Sequence, residues 1–183
     1  MLRIFYSLLI LFFLFVNPVY SARDTDSYDG NIYPIYAGNG SLVPPSSTLS
    51  ESLKNERTSV LVFYLDDSAV SKQYAPVVSG IKLLWSSSVD LIPLSIDELD
   101  NDDQKTFKDP GYYWHGKIPQ TVIIDGKGNV LLDEEGQVSF EDINDAITRG
   151  TGLKKPDFDL TVKSFNEYNS EPSKDGYTSP RGS

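Results

Sequence analysis

The chain has 183 residues, a formal net charge of −10, no cysteine and a single histidine, His115. Without cysteine there are no disulfides, thiolate nucleophiles or thiolate metal ligands, and one histidine is a poor basis for a zinc site. We therefore expect neither a metal ion nor a cofactor. The acidic balance also argues against nucleic acid as a partner, because nucleic-acid binding requires a basic surface.

Residues 1–22 have the features of a targeting segment. Arg3 precedes an apolar run, Ile4–Val16, that is shorter than the roughly 20 residues of a spanning helix. Pro18 and the small residues after it are typical of a cleavage site. We expect cleavage after Ser21 or Ala22, with retention as a membrane anchor as the alternative. In both cases the following domain works across a membrane.

A polar N-terminal extension follows at residues 23–47. Its segment Asn31–Tyr36 alternates weakly between polar and apolar residues, which predicts an edge strand. Thr48 with Glu51 three residues later forms a capping box, which predicts a short helix to about Asn55. This helix opens a predicted domain at residues 48–150.

The domain begins with a predicted strand, helix and strand. Val60–Leu65 is uncharged and rich in β-branched and aromatic residues, which indicates a buried strand. Ser68–Ser86 has an apolar face at helical spacing, and Val89–Ile96 is a second buried strand. A strand–helix–strand crossover implies a parallel pair. The acidic stretch Asp97–Asp109 is predicted to be a solvated connection.

A hairpin and a last helix complete the domain. Two strands, Thr121–Ile124 and Val130–Asp133, flank the turn sequence Asp125–Asn129, and Phe140–Arg149 has an apolar helical face. The fold class is therefore α/β, with a mixed sheet flanked by helices. Residues 151–183 have few apolar side chains and are predicted to form a disordered tail.

Four segments resemble thioredoxins in the right order: Val60–Leu65 their central strand, Lys72–Pro76 the following helix, Ile96-Asp97 the end of the next strand, and Gly116–Thr121 their loop with a cis-proline. The resemblance runs from about Val60 to Ile147. It implies a thioredoxin-like fold and a cis bond between Ile118 and Pro119.

The departures from thioredoxins lie at the redox site. Where that family has Cys-Gly-Pro-Cys, this chain has Ser68, Ala69, Val70 and Ser71, and serine cannot form a mixed disulfide. The family's buried acid and its lysine partner fall at Val62 and Pro93. The resemblance thus implies a degenerate redox site and a protein that is not an enzyme.

Longer strings are similar to a cyanobacterial family, the thylakoid membrane photosystem I accumulation factors. They are Tyr28–Tyr33, Tyr36–Pro45, Val62–Ser68 and Pro110–Tyr113. This resemblance implies a location in the thylakoid lumen or on the lumenal side of the thylakoid membrane, with the periplasm as the alternative. It also implies protein partners, namely photosystem I subunits or assembly factors.

Several residues have both a chemical and a structural interpretation. Ser68 and Ser71 suit a hydrolase nucleophile or, as we favour, a helix cap and first turn. Asp66 and Asp67 suit acid–base chemistry or, as we favour, a solvated loop whose charge stabilises a helix N-terminus. For His115 we favour an ordinary surface-loop residue over a catalytic or metal-binding one.

Other motifs are less specific. The aromatic residues Tyr112, Tyr113 and Trp114 suit an interface or packing beneath a loop equally well. The acidic run at residues 100–103 is not an EF-hand, because Lys105 occupies the position that requires glycine. Gly126 and Gly128 lie between two strands, so a hairpin turn is favoured over a dinucleotide site.

The sequence therefore predicts a non-catalytic binding or assembly factor that supports photosystem I accumulation. The alternative is a redox-inactive chaperone that holds extended chains at the proline loop. The candidate binding face comprises Asp66, Asp67, the positions 68–71, Tyr112, Tyr113, Trp114, Ile118 and Pro119.

Overall fold

The computed structural model describes residues 21–85, 87–99 and 105–155. The described helices and strands are, in chain order, α1 (Ile32–Ala37), α2 (Leu49–Lys54), β1 (Ser59–Tyr64), α3 (Ala69–Trp85), β2 (Asp90–Ser95), β3 (Gln120–Ile124), β4 (Val130–Glu135) and α4 (Phe140–Thr151). Short 3-10 turns occur at Ala22–Asp24, Ile96–Glu98 and Pro110–Tyr113. Most of the predicted targeting segment (1–20), the acidic run (100–104) and most of the predicted tail (156–183) lie outside the described residues.

The strands form one mixed sheet in the order β2-β1-β3-β4. The β1–β2 pair is parallel, as the α3 crossover requires, and β3 runs antiparallel to both β1 and β4. Every residue of β1 is buried, which explains why this strand carries no charge. The predicted fold class is confirmed: the chain has a thioredoxin-like α/β fold.

Both faces of β1 lie in hydrophobic core. Val60, Val62 and Tyr64 belong to a large cluster that also holds buried side chains of α1, α3 and α4. Leu61 and Phe63 point to the other face, into a smaller cluster with α2 and the loop before β3. This alternation follows from the two-residue period of a strand.

The predicted edge strand at Asn31–Tyr36 is wrong, because this segment forms the helix α1. Asn31 Oδ1 accepts a hydrogen bond from the backbone N–H of Tyr33, and Gly38 ends the helix in the left-handed conformation. The buried side chains Ile32, Tyr33, Tyr36 and Ala37 share one helical face, which lies in the large core cluster. Over only six residues, the spacing of apolar side chains on one helical face is hard to distinguish from the polar–apolar alternation of a strand.

Other predicted boundaries are close to the observed ones. The capping box of Thr48 and Glu51 is present at the start of α2. Helix α4 extends two residues beyond the predicted end, to Thr151, and Gly152 closes it in the left-handed conformation. The first residues of the predicted tail are therefore part of the domain.

The strand directions separate the two ends of the sheet. The β1–β3 register pairs Phe63 with Gln120 and Ser59 with Ile124. The proline loop therefore lies at the C-terminal end of β1, and the Asp125–Asn129 turn lies at its N-terminal end. The residues resembling the thioredoxin redox site belong to the first of these ends.

Candidate functional site

The serines at the family's cysteine positions lie at the start of helix α3. Ser68 Oγ accepts a hydrogen bond from the backbone N–H of Ser71 at 3.4 Å, the geometry of an N-cap. Ser71 is 1% exposed, and its Oγ accepts from the backbone N–H of Leu65 at 3.2 Å. These bonds support the structural interpretation, with Ser68 as the helix cap and Ser71 as a first-turn residue.

The proline loop and the start of α3 lie near one another. The Ile118–Pro119 bond is cis, the conformation that the sequence predicts. Pro119 O accepts from Gly136 N at 2.6 Å, and the Nε2 of the next residue, Gln137, lies 3.4 Å from Val70 O. Two consecutive residues therefore connect the proline loop with the degenerate redox positions.

The positions of the family's buried acid and lysine are neighbours in the sheet. Val62 of β1 is paired in register with Pro93 of β2, and both side chains are buried. β2 is an edge strand, which is where a proline is tolerated. An apolar pair thus lies where proton transfer to and from a thiol takes place in the resembled family.

Ile118 offers an unpaired stretch of backbone. Its side chain is half-buried, and no backbone hydrogen bond joins Ile118 to any other residue in the described ranges. Free N–H and C=O groups at such a position suit the addition of an extended peptide.

Only one of the three predicted aromatic residues is well exposed. Tyr112 is 57% exposed, whereas Tyr113 is 5% exposed and donates its hydroxyl to Phe107 O at 2.8 Å. Trp114 is half-buried, and its ring centroid lies 5.3 Å from that of Phe63. Tyr113 and Trp114 therefore pack beneath the loop, and Tyr112 is the aromatic residue left for a partner.

Gln120 organises the proline loop, a role that the sequence analysis above does not assign to it. It is fully buried, and its Nε2 donates to Tyr113 O at 2.7 Å and to Asp133 Oδ1 at 2.8 Å. Its Oε1 accepts from His115 N at 3.1 Å. One side-chain amide therefore forms hydrogen bonds with two backbone groups of the loop that precedes β3 and with a carboxylate of β4. The sequence signal for it is an amide side chain at the first position of a strand that has no other amide and no charged residue.

The C-terminal end of β1 is acidic. Asp66 Oδ1 accepts from Ile32 N at 3.0 Å. Burial raises the pKa of Asp66, the bond from Ile32 lowers it, and the negative charges of Glu98, Asp67 and Asp97 raise it further. β2 is parallel to β1, so the turn after β2 contributes two of these carboxylates at the same end of the sheet.

Lys72 is a fully buried cation. The sequence marks it only as the first residue of the Lys72–Pro76 segment that resembles thioredoxins. Its Nζ donates to the backbone oxygens of Ala22, Thr25 and Ser27, and it lies 2.7 Å from Asp29 Oδ2. The hydrogen bond from Lys72 is the main cause that lowers the pKa of Asp29, and the hydrogen bond from the Tyr36 hydroxyl is the second. Ala75 and Ser79 follow Lys72 at helical spacing on α3 and are also buried. Small residues at these positions let the segment that contains Ala37 approach the helix closely.

The acceptors of Lys72 belong to residues 22–29, which we call the N-terminal strap. Asp26 Oδ1 accepts from Ala69 N at 2.8 Å, so a carboxylate lies at the N-terminus of α3, where negative charge is favourable. Arg23 and Asp24 bond to the backbone and side chain of Gln73. The strap therefore covers the start of α3 beside the degenerate redox positions.

His115 is half-exposed, and its Nε2 lies 3.4 Å from Asp133 Oδ2. Within residues 21–85, 87–99 and 105–155, no group of three or more histidine, aspartate or glutamate side chains is arranged to hold a metal ion. The acidic run considered for calcium lies outside those ranges.

The fold and the serines at the cysteine positions together define a class, the thioredoxin-like proteins without redox cysteines. Over 155 aligned residues the chain is 42% identical to thylakoid membrane protein slr1796 of Synechocystis sp.. The alignment covers 82% of this chain and 76% of that protein. The chain belongs to the family of that cyanobacterial protein. No protein-family model matches the chain.

Solved structures similar to this chain include two thioredoxins. One is a mutant thioredoxin from Halobacterium salinarum, with 17% identity, a TM-score of 0.43 and coverage of 57% of this chain and 84% of that one. The other is the exposed lipoprotein thioredoxin Etrx1 of Streptococcus pneumoniae, with 14% identity, a TM-score of 0.43 and coverage of 55% and 89%. In the part of the chain that the structure describes, no helix has the length and apolarity needed to cross a membrane.

Proposed function

We propose that this protein is a non-catalytic binding factor of the thylakoid lumen or thylakoid membrane that supports the accumulation of photosystem I. The observation that carries the proposal is the 42% identity to a thylakoid membrane protein of Synechocystis. The apolar N-terminal segment and the similarity of four strings to the photosystem I accumulation factors point the same way. Serines at the cysteine positions suit binding without thiol chemistry.

The proposed partner is a protein segment with basic character, a photosystem I subunit or an assembly factor. Asp66 and Asp67 supply negative charge at the C-terminal end of β1. Tyr112 supplies an exposed aromatic anchor, and Ile118 supplies free backbone groups for an extended chain. Ser71 and Tyr113 are buried and do not belong to this face.

Complementation of a deletion strain tests the proposal. In a genetically tractable photosynthetic host, we expect deletion to lower photosystem I, measured as the P700 content per chlorophyll, and the wild-type gene to restore it. The variant Tyr112→Ala/Asp67→Asn should restore less. Leu83→Ala/Asp145→Asn is the matched control, because it removes an exposed apolar side chain and a carboxylate elsewhere. Normal P700 in the deletion strain would refute the proposal.

The free backbone of Ile118 also favours a second candidate, a redox-inactive chaperone that holds extended chains. The two functions differ in selectivity. A chaperone binds many reduced, unfolded proteins and slows their aggregation, whereas the assembly factor captures photosystem I components from solubilised thylakoids. For either function, insulin reduction by dithiothreitol should stay at the buffer rate, because no thiolate is present.

A further inference from the structure

A cleft lies at the end of the sheet opposite the candidate binding face, near the N-terminal end of β1. It has a volume of about 300 Å³. Three segments form it: helix α2, the loop before β3 and the β3–β4 turn. Its lining residues are Ser50, Leu53, Lys54, Phe107, Lys108, Gly126 and Lys127. The proposed protein-binding face lies at the C-terminal end of β1, so the two sites are separate.

The walls of this cleft are held by close contacts. A Cβ on Gly126 would lie 2.1 Å from Glu56 O, so the turn rests directly on the backbone after α2. A Cβ on Gly128 would lie 3.9 Å from the Phe107 ring and 4.0 Å from Leu53. The Tyr113 hydroxyl bonds to Phe107 O and ties down the third segment.

The cleft concentrates positive charge in an acidic chain. Each of the three segments contributes one lysine: Lys54, Lys108 and Lys127. No carboxylate of a described residue lies within 4.0 Å of these three ammonium groups, although Lys72, Lys117 and Lys155 each have such a partner.

A nearby carboxylate, Asp125, is committed to the turn itself. Its Oδ1 accepts from the backbone N–H groups of Lys127 and Asn129 at 2.9 and 2.8 Å, and its Oδ2 accepts from Asn129 Nδ2. Lys127 acts on Asp125, and Lys54 on Glu51, through charge at longer range, and Lys108 Nζ lies 5.8 Å from the centroid of the Phe107 ring. The three ammonium groups therefore keep their hydrogen-bond donors for a ligand. Phe107, which is 51% exposed, and Leu53 place apolar surface beside them.

We propose that this cleft binds a phosphate group attached to an apolar or aromatic moiety. Ammonium groups donate charge-assisted hydrogen bonds to phosphate oxygens, and three donors from separate segments surround one dianion. The apolar moiety packs on Phe107 and Leu53. The volume is at the lower end of the range of small-molecule sites, which suits a small organic phosphate or the headgroup region of an anionic lipid.

Binding is measured on the full chain in a non-ionic detergent. Phenyl phosphate, titrated against ¹⁵N-labelled protein, should shift the amide resonances of residues 50–54, 107–108 and 126–127. Inorganic phosphate should cause the same shifts with weaker affinity, because it lacks the apolar moiety. Flotation with phosphatidylglycerol vesicles, against phosphatidylcholine vesicles, tests the lipid source after the detergent has been removed.

Two triple variants separate the cleft from overall charge. Lys54→Gln/Lys108→Gln/Lys127→Gln should raise the Kd of phenyl phosphate by about tenfold or more. Lys82→Gln/Lys154→Gln/Lys155→Gln removes the same charge elsewhere and should leave the Kd unchanged. Thermal unfolding of both variants verifies folding.

Both variants keep the apolar N-terminal segment, so a loss of vesicle binding in the cleft variant alone assigns the lipid source. Phenyl phosphate binding without such a loss assigns a soluble one. Equal effects of the two variants, or no amide shifts at the cleft, would overturn the proposal.

Discussion

Lys72 is the residue on which the position of the N-terminal strap depends. Lys72→Met keeps the length of the side chain but removes the donor that Ala22 O, Thr25 O and Ser27 O share, and it leaves the Asp29 carboxylate without its ammonium partner. Ala22 O and Thr25 O keep other donors, whereas Ser27 O has no other donor among the described residues. We expect a loss of about 2–4 kcal/mol in the free energy of unfolding, the cost of leaving such groups unpaired. Chemical denaturation measures it.

Lys82→Met, on the same helix, is the control and should change stability by less than about 0.5 kcal/mol. Limited proteolysis adds a local measurement, since the strap of the Lys72→Met protein should be cut sooner than the rest of the domain. An uncut strap and unchanged stability would contradict the role assigned to Lys72.

Asp66 predicts a dependence of stability on pH. Its folded-state pKa is raised above the usual 3.8, so its ionised form is less favourable in the folded state than in the unfolded state. This cost is absent below pH 3.8 and grows as the pH rises through the folded pKa. Asp66→Asn keeps an oxygen for Ile32 N and removes the charge. The variant should therefore be more stable than the wild type at pH 7.

The stability gain of Asp66→Asn should disappear when the melting temperature is measured near pH 3, where Asp66 is protonated in both states. Glu134→Gln removes an equal charge from the exposed strand β4 and serves as the control. A gain that persists at low pH would show that charge is not its cause.

Single residues differ in how well the sequence predicts them. The roles of Ser68 as a helix cap and of Ser71 as a first-turn residue follow from local rules, because both bonds lie within six residues of chain. The role of Lys72 does not, since its acceptors lie 43 to 50 residues away. The burial of Tyr113 likewise depends on a contact that a run of three aromatic residues does not specify.

At the scale of elements, the β3–β4 hairpin is held by its turn. Gly126→Ala would place a Cβ 2.1 Å from Glu56 O, a contact that only a backbone shift relieves. We expect a loss of about 2–3 kcal/mol of stability, as for other overpacked sites. Thermal and denaturant unfolding measure this loss.

Gly40→Ala is the matched control, because Pro34 Cβ is the nearest atom to its added Cβ, at 3.9 Å. It should be nearly neutral. Equal stability of the two variants would mean that the turn is free to move away from the α2–β1 connection, and it would also weaken the case for a preformed cleft.

The sequence predicts long elements better than short ones. The uncharged pattern of β1 and the apolar face of α3 extend over enough residues to distinguish a strand from a helix. Helix α1 has six residues, and its identity depends on the core that covers Tyr33 and Tyr36. Local alternation does not contain that information, so the segment was predicted with the wrong period.

At the scale of the whole molecule, the crossover and the hairpin fix the topology. A parallel pair joined by α3, followed by two antiparallel strands, leaves few arrangements for a four-stranded sheet. The placement of the candidate face at the C-terminal end of β1 follows from this topology, and its role in binding stays a prediction. The cleft with Lys54, Lys108 and Lys127 could not be predicted from the sequence. These lysines are far apart in the chain and line one cleft only when the hairpin packs beside α2.

The separation of these two charged regions has a consequence for motion in solution. Carboxylates lie beyond one end of β1 and three lysines lie at the other, so together they contribute an electric dipole along the strand. A dipole turns the molecule in the field of a charged surface before contact is made. The lysine end then faces an anionic surface while the acidic end points away, towards a basic partner. This orienting torque weakens as added salt shortens the screening length, about 8 Å at physiological ionic strength.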